Sequence, residues 1–395
     1  MSKHSNVSPE LVQEGERIMR ICNACRYCEG FCAVFPAMER RLTFEESDLN
    51  YLANLCHNCT ECYYACQYAP PQEFELNFPK TLAEIRLETY RKYAWPGMFA
   101  ELFHKNGLVT GVVTAASMIV VLAVILGSGG PASFLAAHSD VKGAFYAVMS
   151  HEAMVVTFGI VAVLIATAFA IGFVRFWKDT EGKAAPAVTP GAFVQALSDT
   201  LLLRYLDGAE DGCAYPDETP SNVRRRFHHA TFYGFALCFA ATAVGTVFHY
   251  VLGWEGPPPI PTVASLLGRP GAPQLELLRS LPVILGSLGG IGLLIGPAGL
   301  LWLKTRRNSL LVDHRQNGMD AGFLVLLFLA SLTGFMLTAL RETTFSGPVM
   351  VAHLGIVMGL FLTMPYGKFV HGIYRFGALL RNAVEKSTMP TLGSE

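Results

Sequence analysis

Hydrophobic and polar positions fall into two regimes along the chain. From residue 1 to about 106, apolar residues alternate with charged ones, and Phe44 to Leu55 and Leu82 to Tyr93 carry the periodicity of amphipathic helices. Beyond that point come six apolar blocks, each near the roughly 20 residues a bilayer-crossing helix needs: about 108–126, 154–174, 230–252, 281–303, 321–341 and 349–371. The pattern predicts a mainly α protein, with a small N-terminal domain over 1–106 and a six-helix transmembrane bundle over 107–395. Basic residues mark one side of the bundle: Arg175, Lys178, Arg224 to Arg226, Lys304, Arg306, Arg307, Lys368, Arg375 and Arg381. By the positive-inside rule both termini face the cytoplasm. Met1 to Arg20 contain no apolar core of a secretory signal, in keeping with an N-terminus that stays there.

The connections differ in character. On the far side, Gly127 to Pro131 and the proline-rich Gly256 to Pro261 read as ordered turns. On the cytoplasmic side, about 177–223 forms a long loop with a helical stretch, Phe193 to Leu206, and acidic residues Glu210, Asp211, Asp217 and Glu218. That helix either docks a partner or lies on the membrane or on its own domain.

Composition agrees with this division, at 52% hydrophobic and 15% charged residues. A net charge of -1 supplies no basic field for nucleic acid. Eight of the ten cysteines lie between Cys22 and Cys66, and in a reducing compartment such crowding favours metal ligation over disulfides. They form two runs of identical C-x2-C-x2-C-x3-C spacing: Cys22, Cys25, Cys28, Cys32 and Cys56, Cys59, Cys62, Cys66. This spacing suits iron–sulfur clusters, whereas a single zinc more often draws on two separated pairs. In two-cluster ferredoxins the fourth cysteine of each run serves the other cluster. Two [4Fe-4S] clusters held that way would use Cys22, Cys25, Cys28 and Cys66 for one and Cys56, Cys59, Cys62 and Cys32 for the other. Ferredoxin runs continue with proline, but Ala33 and Gln67 follow here, with Pro36 and Pro70 three residues further on. Cys213 and Cys238 stand alone, and no cysteine is left as a catalytic nucleophile within the runs.

Ionisable residues are costly in membrane helices, so the histidines carry information. His353 and His371 are 18 residues apart on one expected helix, about five turns, which puts both imidazoles on one face about 27 Å apart. The third block opens with His228 and His229 and ends with His249. Helix geometry prefers His228 as the partner of His249 on one face, since 21 residues return within about 60° and 20 do not. Two bis-histidine haem b sites follow: His228 or His229 with His371 near the cytoplasm, and His249 with His353 on the far side. His151, beside Glu152, reads as interfacial. In the fourth block Gly286, Gly289, Gly290, Gly292 and Gly296 imitate a nucleotide loop, but Ile295 breaks G-x-G-x-x-G and no strand precedes it, so close helix packing explains them better.

The duplicated cysteine runs, the stretch 224–235 (RRRFHHATFYGF) and the six-span tail together resemble the tricarballylate and citrate utilisation protein B family over nearly the whole chain. Separately, Ala352-His353-Leu354-Gly355 through Pro365-Tyr366-Gly367-Lys368-Phe369-Val370-His371 is similar to the last haem-binding helix of respiratory nitrate reductase gamma subunits. The first resemblance implies a bacterial inner-membrane protein that reoxidises a soluble FAD-dependent tricarballylate dehydrogenase and passes electrons to quinone. The second implies that His353 and His371 ligate haem. Two other classes remain open: a tricarboxylate transporter with a metal-binding cytoplasmic domain, and a membrane iron–sulfur redox sensor.

Overall fold

The computed structural model describes residues 7–103, 105–137, 144–181, 187–206, 212–253 and 273–388. Residues 1–6, Glu210, Asp211 and the proline-rich 256–261 turn lie outside the described residues. In chain order the helices are α1 (Pro9–Cys25), α2 (Val34–Glu39), α3 (Glu46–Leu55), α4 (Glu61–Tyr64), α5 (Phe78–Tyr93), α6 (Asn106–Ser128), α7 (Gly130–Phe134), α8 (Ala144–Val148), α9 (His151–Thr180) and α10 (Pro190–Leu201). They continue with α11 (Val223–Leu252), α12 (Pro273–Arg306), α13 (Asn317–Leu340), α14 (Ser346–Thr363) and α15 (Val370–Thr388). A small antiparallel hairpin, β1 (Cys213–Ala214) with β2 (Pro220–Ser221), precedes α11.

Among the described residues, six segments are long and apolar enough to cross a membrane: Asn106–Ser128, His151–Thr180, Val223–Leu252, Ser280–Arg306, His314–Leu340 and Ser346–Tyr366. Their outward residues, among them Val112, Ile119, Ile160, Val163 and Phe239, are exposed, as lipid-facing side chains must be. The protein is a multi-pass, mainly α membrane protein.

The sixth span differs from the expected 349–371 helix. α14 stops at Thr363, Met364–Tyr366 makes one 3-10 turn, and Gly367 is extended before α15 begins at Val370. Pro365 has no N–H to continue an α-helical ladder, and the run of apolar residues on either side conceals that break. His353 and His371 therefore stand on different helices, and their expected common face does not form.

α15 is amphipathic and turns its apolar face to the N-terminal helices. Tyr374, Ala378, Leu379 and Leu380 join Ile18, Leu49, Leu52, Ile85, Tyr90 and Phe176 in one core, so the N-terminal helices are welded to the bundle. Polar contacts close the seam. Arg41 binds Glu385 at 2.6 Å and Asp48 at 2.7 Å. Burial pushes the Glu385 carboxyl up, but hydrogen bonding and charge from Arg41, with Arg381, overcome that and hold it below the usual carboxylate range. Lys92 and the Tyr93 hydroxyl meet Asp179 of α9 at 2.9 and 2.6 Å.

α10 lies on its own chain, the second of the two expected roles. Ala192 packs with Ala383 and Val384, and Phe193 meets Phe376 at 5.9 Å between ring centroids. α11 and α12 touch through the glycines. A Cβ at Gly292 would come within 2.7 Å of the Ala230 carbonyl oxygen, and one at Gly289 within 2.7 Å of the Gly234 carbonyl oxygen. Helix packing through small residues thus accounts for the glycine-rich block and sets the position of the helix that carries His228.

Candidate functional site

Each cysteine run starts where a helix stops. Cys22 and Cys25 share a face of the last turn of α1, and Arg26, left-handed at φ 56°, turns the chain so that its N–H bonds the Cys22 carbonyl at 2.8 Å. Cys56 caps α3, after which Asn58 and Thr60 adopt positive φ and lead into α4, which carries Cys62. The two runs interleave. A cavity of about 280 Å³ is lined by Cys22, Cys25, Cys28, Cys62 and Cys66 together with Tyr27, Phe35 and Phe78.

The thiols also sort by charge interaction. Cys22 feels Cys28, Cys66 and Cys25, whereas Cys32 feels Cys59 and Cys56. Cys62, which reaches the same cavity wall, feels Cys59, Cys56 and Cys32 most. By these interactions Cys66 lies close to Cys22 and Cys28, and Cys32 close to Cys56, Cys59 and Cys62. Among the described residues no three such side chains close on a point small enough for a single ion. A four-iron cluster is a cube larger than a single ion, and its four thiolates sit around it rather than at one point.

Burial, then the neighbouring thiols, push Cys28 up to about 12 and raise Cys22, Cys32 and Cys62 as well. Without a cation to displace their protons these groups stay neutral, so loading a metal releases protons. Backbone donors already point at two sulfurs: Asn58 N–H at Cys56 Sγ (3.3 Å) and Tyr68 N–H at Cys66 Sγ (3.4 Å). Such bonds stabilise ligating thiolates and set cluster potential.

The histidines divide less evenly. The His228 and His371 rings meet at 6.1 Å, nearly perpendicular at 81°. His371 Nδ1 lies 2.5 Å from the Lys368 carbonyl oxygen. A carbonyl only accepts, so Nδ1 carries the proton and Nε2 keeps its lone pair, the arrangement of a metal-ligating imidazole. His228 Nδ1 is buried with no hydrogen-bond partner among the described residues. His229 turns the other way, to Tyr233 at 5.6 Å, so geometry brings His228 and not His229 to His371.

The far side departs from expectation. His249 stacks on His151 at 4.1 Å and 28°, with Tyr146 and Tyr250 around them. His353 instead lies 3.1 Å from Thr333 Oγ1, against Gly334. The expected His249–His353 pair is replaced by a His151–His249 stack. His151 and His249 meet because α9 begins and α11 ends on the same side of the bundle, which spacing within either helix alone does not reveal.

Three further residues hold this region together. Arg224 donates to the carbonyl oxygens of Asn58 and His57 at 2.7 and 3.0 Å, and Arg375 to those of Cys56 and Asn54 at 2.7 and 3.4 Å. Arg224 precedes His228 by one helical turn, and Arg375 follows His371 by one. The helices that present the two imidazoles thus also grip the second cysteine run. Cys213, alone in sequence, is buried on the hairpin and hydrogen-bonded with Cys59, while Thr60 Oγ1 bonds the Ala214 carbonyl oxygen.

Residues 15–92 match the family described as the citrate utilization protein B Fer4-like domain, and residues 105–278 and 271–391 match citrate utilization protein B. The chain belongs to the citrate utilization protein B family. Citrate utilization protein B of Escherichia coli is 49% identical over 374 residues, covering 94% of this chain and 92% of that protein. No solved structure matches the chain. A Fer4-like domain fused to six membrane helices fits the family to iron–sulfur chemistry and, broadly, to electron transfer.

Proposed function

We propose that this protein carries electrons from a soluble FAD-dependent dehydrogenase of tricarballylate or a related tricarboxylate to quinone in the bacterial inner membrane, with both termini cytoplasmic. In net terms the donor's reduced flavin loses two electrons and two protons, and quinone gains two of each to become quinol. Two [4Fe-4S] clusters and b-type haem, when bound, supply one-electron carriers tuned by ligand, hydrogen bonding and burial.

The chain's own residues divide that work. Cys22, Cys25, Cys28 and Cys66 would hold the outer cluster near exposed Tyr27, where a soluble donor has access. Cys56, Cys59, Cys62 and Cys32 would hold the inner one, with Asn58 N–H bonded to a ligand sulfur. His228 and His371 would hold the haem, His371 being fixed in tautomer and direction by the Lys368 carbonyl. One observation carries the reading: Arg224 and Arg375 anchor the second cysteine run one helical turn from each of these histidines.

Anaerobic purification of the full chain from membranes should yield about eight iron and eight sulfide outside haem, with a sharp reduced b-type band after dithionite. Cluster iron with no haem would leave a membrane iron–sulfur reductase or sensor and overturn the histidine assignments.

A further inference from the structure

Between the second cysteine run and the His228–His371 pair the protein buries more positive charge than its carboxylates balance. Arg86 of α5 is 4% exposed. Its Nε donates to the Ala53 carbonyl oxygen at 2.7 Å, but its Nη2 is buried without a partner among the described residues. Arg375 and Lys368 both feel the Arg86 charge, and buried His57 feels Arg375, Arg224 and Arg86 together. Lys368 and Lys304 both bind Asp320, Lys368 at 2.8 Å. Among the described residues, Asp320 is the sole carboxylate in salt-bridge contact with any of these five cations.

Arginine cannot shed its proton to escape burial, so an unmatched buried guanidinium is costly and calls for an anion. Arg375 and Arg224 direct their charge at the Cys56 and Cys59 thiols respectively, and so serve the inner cluster's ligands. That leaves Arg86, whose open Nη2 faces no acceptor, and Lys368, three residues before His371 and bonded to it through its own carbonyl. A planar guanidinium fork lies within charge range of the Lys368 ammonium, which Asp320 and Gln316 hold at 2.8 and 3.4 Å and which in turn lies within charge range of the His371 imidazole; that series suits a ligand with carboxylates on one edge and a metal at its centre.

We propose that Arg86, with Lys368, forms the anion-binding subsite for the two propionate groups of a haem ligated by His371 and His228. The inference rests on the haem reading above and adds the orientation of the haem, propionates towards the N-terminal helices. A phospholipid phosphate offers the same anionic oxygens, and the test separates the two.

Full-length wild type, Arg86→Gln and Arg86→Lys would be purified from membranes, with haem, non-haem iron and bound phospholipid phosphorus measured and the haem titrated potentiometrically. With non-haem iron unchanged as the sign of a folded chain, Arg86→Gln should retain haem roughly tenfold more weakly, as expected for losing a charge-assisted hydrogen bond. Its remaining haem should titrate at a lower potential, because the lost cation favoured the reduced form, and Arg86→Lys should restore the potential. Full haem at an unmoved potential in Arg86→Gln, with or without loss of bound phosphate, would overturn the subsite. Absence of haem in the wild type itself would overturn the haem reading and this inference together.

Discussion

Replacing Cys32 with serine should remove the cluster held by the second cysteine run and spare the one held by the first. If each run held its own cluster the reverse would follow, since Cys32 closes the first run. In the folded chain, however, Cys32 lies within charge range of Cys59 and Cys56, and Cys66 within that of Cys22 and Cys28. A four-iron cluster missing one thiolate is labile, so each variant should lose about four of eight iron atoms. Cys66→Ser should empty the outer set of Cys22, Cys25 and Cys28 and block reduction by a soluble donor. Cys32→Ser should leave the outer cluster reducible while the membrane carriers stay oxidised. Iron analysis with low-temperature EPR of the reduced variants checks this. If Cys32→Ser instead abolishes the donor-facing signal, each run binds its own cluster.

The next largest effect belongs to Arg375. Its guanidinium bonds the Cys56 and Asn54 carbonyl oxygens from one turn beyond His371. Hydrogen bonds from charged donors contribute about 1.5–3 kcal/mol each, so Arg375→Gln should destabilise the chain by about 3 kcal/mol and lower its melting temperature. It should also lower the potential of the inner cluster, because a nearby cation stabilises the more negative reduced state. Arg375→Lys keeps the charge and loses the fork, so it should restore the potential better than the stability. Arg224→Gln acts on the same loop through Asn58 and His57, and the double variant should fall short of additivity because both arginines brace one segment. A melting curve and a potentiometric titration decide it. Unchanged potential in Arg375→Gln would show that this side chain is only a structural tie.

The fold was legible wherever one physical signal dominated a long stretch. Six apolar blocks announce six membrane helices because lipid tolerates no other composition over that length. The sixth was misplaced at one end because hydropathy runs on through Met364 to Val370 while the backbone, at Pro365 and Gly367, does not. The two cysteine runs were visible in their repeated spacing, and helical geometry already preferred His228, which the fold brings to His371, over His229.

What stayed hidden depends on tertiary approach. Read along the chain, Arg224 and Arg375 are flanking charges that orient a membrane protein; folded, they also hold the second cysteine run. Cys213 is a single cysteine in a long connection, and only the hairpin brings it to Cys59. His151 stands at the start of α9 and His249 near the end of α11; along the chain the first reads as interfacial and the second as a haem ligand with His353, and only the fold sets the two side by side. An unpartnered nitrogen such as Arg86 Nη2 has no sequence signature at all.

The most direct test of the relay is stopped-flow reoxidation of the dithionite-reduced, full-length protein in liposomes by a soluble quinone analogue, followed at the haem band and by freeze-quenched cluster EPR. The account predicts that wild-type haem and both clusters are reoxidised together with formation of quinol, and that in Arg375→Gln, whose inner cluster has the lower potential, haem and the inner cluster are reoxidised while the outer cluster lags. Clusters and haem that stay reduced in the presence of excess quinone would contradict it.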